Sequence, residues 1–188
     1  MIKNIIFDVD EVLFDTIRQY ISCCEDCGMK PDIYRHGRRG TYEFRTRPET
    51  YVEEYYNNPP IRSGALALLK NLYNSGIKLY TMSAARRPDR KRKAFIKCFG
   101  DIITPEFSPK SGSKLPSLRK LIKKYGLNPA ETLYVDDRTD CIRSGIRAGL
   151  HVVRMTGEFT LPMPKNMAHI PSVRSLKELH DHILKLNN

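Results

Sequence analysis

The chain predicts an α/β fold, with a central parallel sheet sandwiched between helices. Two observations carry that expectation: short apolar strands alternate with amphipathic helices along most of the sequence, and three of the strands end in hydroxyls or carboxylates, as strands of an open α/β sheet do where ligands bind. Composition agrees. A chain of 188 residues, 40% apolar and 28% charged, fits one domain with a small insert.

The first strand is Ile5-Ile6-Phe7-Asp8-Val9-Asp10. Alternation puts residues i and i+2 on one side, so Asp8 and Asp10 point at one spot. Two like charges so close require a cation or a shared proton. A strand end or Asx-turn would account for one aspartate, less well for two. Between Asp15 and Pro60 lie about 45 residues, too many for a plain strand-to-helix loop. Thr16 to Cys27 reads as a helix, Gly28 to Arg47 as an irregular loop, and Pro48 to Asn57 as a second helix with proline at its start. Pro59-Pro60 ends that segment, and Ile61 to Ser75 carries Leu66, Leu69 and Leu72 at helical spacing. Ile77 to Ser83 reads as a strand ending in hydroxyls. Helices follow near 88–98, 115–125 and 139–148, with strands near 102–104, 132–136 and 151–155. Pro171 to Leu186 closes the chain as an amphipathic helix through Val173, Leu176, Leu179 and Ile183.

Three strand ends, bearing Asp8-x-Asp10, Ser83 and Asp136-Asp137, would converge together with Lys114, which sits in a Ser/Gly/Pro-rich connection. Acids to hold Mg²⁺, with a hydroxyl and an ammonium to hold an anion, make a phosphoryl-transfer site.

In these motifs the sequence resembles the haloacid dehalogenase-like superfamily of phosphatases over nearly its whole length. Its Asp-x-Asp motif with a following flap resembles Asp8 to Asp15. Its strand ending in Ser or Thr resembles Leu79 to Ser83, its lysine resembles Lys114, and its acidic pair resembles Asp136-Asp137 with Asp140 nearby. The resemblance implies a Rossmann-like three-layer sandwich formed by residues 1–15 and 60–188. Residues 16–59 would form a small helical cap that excludes water and selects substrate. It also implies a Mg²⁺-dependent phosphatase. Asp8 would be the nucleophile and Asp10 the general acid and base. Mg²⁺ would be held by Asp8, the backbone carbonyl of Asp10 and Asp137, helped by Asp136. Ser83 and Lys114 would bind phosphoryl oxygens, with Thr81 as the fallback hydroxyl. Asp10 argues against a dehalogenase, which needs no acid there.

The sequence departs from the pattern twice. Capped members usually have Gly where this chain has Glu11, although a branch resembling phosphatases of the polymerase tail domain carries Glu. An Asp or Asn is usual at the position of Cys141, while Asp140 lies one residue early. Either Asp140 replaces it after a local shift, or that support is missing.

Net charge is +11, and it is clustered. Arg35, His36, Arg38, Arg39, Arg45 and Arg47 interleave with Tyr34, Tyr42 and Phe44. Arg86, Arg87, Arg90, Lys91, Arg92 and Lys93 follow Ser83. Aromatics among arginines suit bases and phosphates, so a small phosphorylated substrate, a nucleotide, a sugar phosphate or a nucleic-acid end is expected. A solvated basic face is the plain alternative. Asp136 to Thr139 with Ser83 to Arg86 also resembles the phosphatase half of polynucleotide kinase-phosphatases. Two rival functions remain: a non-catalytic member binding nucleic acid through its basic surface, and a phosphotransferase or mutase.

Five cysteines, an odd number, point to reduced thiols and a cytoplasmic setting. The N-terminal apolar stretch meets Asp8 too soon for a signal peptide, and no run is long enough for a membrane span. Cys23, Cys24 and Cys27 read as ordinary helix residues rather than zinc ligands, since only His36 is near enough in sequence to assist.

Overall fold

The structure, a computed structural model, describes residues 1–36, 41–109 and 113–187. In chain order the described elements are β1 (Asn4–Phe7), α1 (Thr16–Asp26), β2 (Ile33–His36), β3 (Thr41–Phe44), α2 (Glu49–Asn57), α3 (Ala65–Asn74), β4 (Lys78–Thr81), β5 (Ser83–Ala85), α4 (Pro88–Phe99), β6 (Phe107–Pro109), α5 (Leu115–Tyr125), β7 (Thr132–Asp136), α6 (Thr139–Arg147), β8 (His151–Met155), β9 (Ser172–Val173) and α7 (Leu176–Asn187).

The expected α/β sandwich is present. Five parallel strands lie in the order β4-β1-β7-β8-β9, and β1 is buried throughout and apolar from Ile5 to Phe7, as a strand covered on both faces requires. Ile5 and Phe7 pack with Leu68 and Leu69 of α3, Phe95 and Phe99 of α4, and Leu179 and Ile183 of α7. Ile6 on the opposite face packs with Leu118 and Leu121 of α5 and with Tyr134 and Cys141. These two cores make the three layers.

The chain leaves the sheet after β1 through a tight flap. The N–H groups of Leu13 and Phe14 both donate to the Val9 carbonyl at 2.9 Å. Exit and return pair with each other: Asp15 N–H donates to Pro60 O at 2.9 Å, and Arg62 N–H to Leu13 O at 2.8 Å. The intervening insert has its own core, in which Tyr20, Cys23, Cys24 and Tyr51 pack with Ile33 and Phe44. The Tyr20 and Phe44 rings stack with centroids 3.8 Å apart.

Several expectations need correction. Part of the stretch expected as an irregular loop is an antiparallel hairpin, β2 with β3, so the insert is mixed rather than helical. Arginine and aromatic residues blurred its alternation, and the packing of Ile33 and Phe44 on Tyr20 supplies what the strands' own pattern did not. The strand expected to run to Ser83 ends at Thr81; Ser83 opens β5, which pairs with β6 in a separate two-stranded sheet. The strand expected near 102–104 reduces to a bridge from Thr104 to Tyr80. The last helix starts at Leu176 rather than Pro171, because Ser172 and Val173 form β9 and a bend at Arg174 and Ser175 follows it. Arg38 and Arg39 fall outside the described residues.

Candidate active site

Asp8 follows β1 directly, and its N–H still bonds Val135 O at 2.8 Å. Its position continues the face of Ile6, the side on which α5 begins, and there its Oδ2 meets Lys114 Nζ at 2.8 Å. Lys114 immediately precedes α5 and also lies 2.7 Å from Asp136 Oδ2. Asp136 is anchored further by the Arg138 N–H, which donates to Oδ1 at 2.9 Å, and by the Tyr134 hydroxyl, which donates to Oδ2. One carboxylate oxygen each of Asp8, Asp136 and Asp137, all buried, lie within 4.8 Å of one another.

The electrostatics follow from burial and charge. Burial raises the Asp8 carboxyl, but Lys114 and Lys91 outweigh it and leave it below the usual carboxylate range. Burial works against the Lys114 ammonium, yet Asp136 and Asp8 hold it protonated well above its ordinary value. Burial raises Asp136. It raises Asp137 much further, with the charges of Asp136, Asp8 and Glu11 adding to the effect. Three buried carboxylates this close together could hold a hard divalent cation.

Asp10 stands apart from that group. Its two carboxylate oxygens each accept from Tyr55 of α2 at 3.0 Å, and Oδ2 lies 2.7 Å from Lys91 Nζ. Of the expected metal ligands it is therefore the one whose carboxylate faces elsewhere, leaving its backbone carbonyl for that role. Lys91 also donates to Ser83 Oγ at 3.0 Å, so Ser83 joins Asp10 through the lysine. Thr81 is not free as a fallback hydroxyl: it donates to Glu106 O at 3.0 Å and accepts from Glu106 N–H at 2.8 Å.

The residues at both departures are held by local contacts. Glu11 has φ +58°, the left-handed conformation that glycine would hold without strain. Its carboxylate turns to the start of α1, accepting from Ile17 N–H and Thr16 Oγ1 at 2.9 Å each. Asp140 is paired with Arg138 through bonds of 3.1 and 2.8 Å and does not join the acidic group. Cys141 is packed in the core beneath α5.

Lys91 and Tyr55 are the residues that sequence reasoning missed in these roles. In sequence Lys91 belongs to the basic cluster that follows Ser83, but it is 1% exposed. Its signal is register: it shares a helix face with Ala94, Phe95 and Phe99, the buried residues of α4. Arg154 is equally buried and donates through Nε to Asp137 O at 3.0 Å.

The basic clusters divide. Arg90 pairs with Glu53 of α2 at 2.9 Å and lies over Tyr56. Arg92 bonds Pro105 O. Arg86, Arg87 and Lys93 are exposed. On the insert, Arg45 lies 4.4 Å from the Tyr34 ring centroid and Arg47 lies 5.6 Å from that of Phe44. Among the described residues no metal-ligand group includes a cysteine; Cys23 and Cys24 are buried in the insert's core and Cys27 is exposed. No described helix is long and apolar enough to cross a membrane.

The profile of the haloacid dehalogenase-like hydrolases matches residues 25–149, a span that contains Ser83, Lys114, Asp136 and Asp137. Curated protein sequences yielded no significant match. Among solved structures, a protein from Bacteroides vulgatus assigned as a β-phosphoglucomutase superposes with a TM-score of 0.65 at 17% identity, covering 99% of this chain and 89% of its own. The L-2-haloacid dehalogenase of Xanthobacter autotrophicus gives 0.67 at 15%, covering 98% and 99%. The HAD hydrolase YfnB of Bacillus subtilis, bound to magnesium, gives 0.65 at 17%, covering 98% and 99%. The structural likeness concerns the fold, and the profile match, spanning more than half of the sequence, shows that the chain belongs to the haloacid dehalogenase-like hydrolase family.

Proposed function

We propose that the protein is a Mg²⁺-dependent phosphatase that hydrolyses a phosphate monoester through an aspartyl-phosphate. One observation carries the reading: Asp8 is held ionised by Lys114 beside two further buried carboxylates, while Asp10 is kept separate from them. Asp8 attacks phosphorus, and the bond to the leaving oxygen breaks as that oxygen takes a proton from Asp10, which acts in its protonated form after taking a proton from solvent. Asp10 then takes a proton from the water that cleaves the acyl phosphate. Ser83 and Lys114 bind phosphoryl oxygens. Asp8, Asp137, Asp136 and the Asp10 carbonyl would hold Mg²⁺, whose charge offsets the converging anions. Asp10 supports a phosphatase over a dehalogenase, since a dehalogenase needs no acid at that position.

Residues 16–59 act as the cap, because Tyr55 of α2 reaches Asp10. The cation–aromatic pairs Arg45–Tyr34 and Arg47–Phe44 favour a nucleotide, a sugar phosphate or a nucleic-acid end as substrate. Free thiols suit a cytoplasmic setting. The test is phosphate release from an aryl phosphate and from nucleotides, with Mg²⁺ and with chelator. Release that needs the metal and disappears in Asp8→Asn is expected. Undiminished release by Asp8→Asn would overturn the reading.

A further inference from the structure

We infer that Lys91 is a second phosphoryl-binding cation of this site, held between Asp10 and Ser83 and passing from the carboxylate to phosphoryl oxygens when substrate binds. The inference rests on the phosphatase reading and goes beyond the four family motifs, none of which includes this helix position.

Geometry supports it first. Lys91 Nζ is 3.0 Å from Ser83 Oγ, so an oxygen that accepts the Ser83 hydroxyl lies within reach of the ammonium after a small rotation of a flexible stem. Burial supports it next. A lysine with 1% exposure on the apolar face of α4 is costly unless paired, and its anionic partner here is Asp10 at 2.7 Å. The two buried lysines differ in commitment. Lys114 bridges two carboxylates, Asp8 and Asp136, whereas Lys91 has one carboxylate and one neutral hydroxyl. Lys91 is thus the cation that can be released. Asp10 would not be left without a donor, because Tyr55 donates to both of its oxygens. Finally, an incoming phosphoryl dianion adds charge to a site that already gathers Asp8, Asp10, Asp136 and Asp137, and a second ammonium reduces the repulsion. The Tyr55 and Phe107 rings flank Lys91, with centroids 5.2 and 5.8 Å from Nζ. They keep that charge out of water, where it acts more strongly on an anion.

The experiment is calorimetric binding of inorganic phosphate to the full chain supplied with Mg²⁺, for wild type, Lys91→Met, Lys91→Arg, Asp10→Asn and the double variant Asp10→Asn/Lys91→Met. Lys91→Met is expected to weaken phosphate binding by roughly 10-fold or more, the size of a hydrogen bond to a charged group, and Lys91→Arg to restore part of it. Asp10→Asn is expected to tighten binding by freeing the ammonium, and the double variant to lose that gain. Wild-type affinity in folded Lys91→Met overturns the inference and leaves the phosphatase reading intact, as does tightening that persists in the double variant. Should Lys91→Met fail to fold, Asp10→Asn decides: affinity unchanged or weaker there also overturns it. A wild-type protein that neither binds nor releases phosphate overturns both.

Discussion

The carboxylate of Glu11 accepts the backbone N–H of Ile17 at 2.9 Å, tying the flap after β1 to the first turn of the insert's leading helix. That N–H is one of the donors a helix start leaves unpaired. The residue that departs from the expected glycine therefore has a structural task, and it performs it from φ +58°. A left-handed backbone costs an L-residue on the order of 1–2 kcal/mol. Glu11→Gly and Glu11→Ala both delete the carboxylate, but only glycine removes the strain. Urea unfolding should find Glu11→Gly more stable than Glu11→Ala by about 1 kcal/mol; equal stability would mean that the flap relaxes out of the left-handed region.

Asp137 is the most strained acid of the site. Burial, then Asp136, Asp8 and Glu11, push its carboxyl well above the usual range. The sign follows: a raised folded-state value contributes stability below the ordinary carboxylate range and loses it as pH rises through the raised value. Without metal at neutral pH, Asp137→Asn should therefore be more stable than wild type. Added Mg²⁺ should reverse the order by stabilising wild type alone. Because a ligand must be ionised to bind, Mg²⁺ should also displace protons, visible as a buffer-dependent binding enthalpy that Asp137→Asn lacks. A metal-free Asp137→Asn protein less stable than wild type would sink this account.

What was legible in the sequence divides along physical lines. Asp8, Asp136 and Lys114 were legible because strand ends and a helix start fix where their side chains go. Buried β1 and β7 declared themselves by continuous apolar runs. The hairpin formed by β2 and β3 did not, because its stability comes from Tyr20 and Tyr51, residues distant in sequence. Lys91 was hidden for another reason. Charge composition marks it as surface, and only its register with Phe95 and Phe99 marks it as interior. The link from Tyr55 to Asp10 spans 45 residues, and such a meeting is set by tertiary packing rather than by local pattern.

A pH-dependent contribution to stability lies beside the β5–β6 sheet. Burial raises the Glu106 carboxyl, but hydrogen bonds from Lys124 and Tyr125, both 2.5 Å, outweigh it and leave the group below its ordinary value. A depressed carboxylate contributes stability above the unfolded-state value and loses it as pH falls through the folded one. Glu106→Gln should thus be less stable than wild type at neutral pH, with the gap closing in acid below about pH 4. Thermal melts of both proteins across that window test it; a gap that stays constant would assign the effect to packing.

Gly145 decides between two opposed effects. On helix propensity alone, Gly→Ala inside α6 should stabilise by about 1 kcal/mol. A Cβ at that position would meet Tyr134 Cδ1 at 2.6 Å and Val152 Cγ1 at 2.9 Å, closer than carbon atoms pack. The Tyr134 ring is fully buried and its hydroxyl is bonded to Asp136, so it cannot step aside without releasing that carboxylate. Overpacking of this kind costs about 1–3 kcal/mol and should win. Gly145→Ala is expected to lower the urea midpoint and, by displacing Tyr134 from Asp136, to weaken Mg²⁺ binding as well. Tyr134→Phe separates the two losses: it should weaken metal binding by removing the hydroxyl while leaving the contact between α6 and β7 in place. A Gly145→Ala protein as stable as wild type would mean that α6 shifts outward to absorb the methyl, and metal binding would then be unchanged.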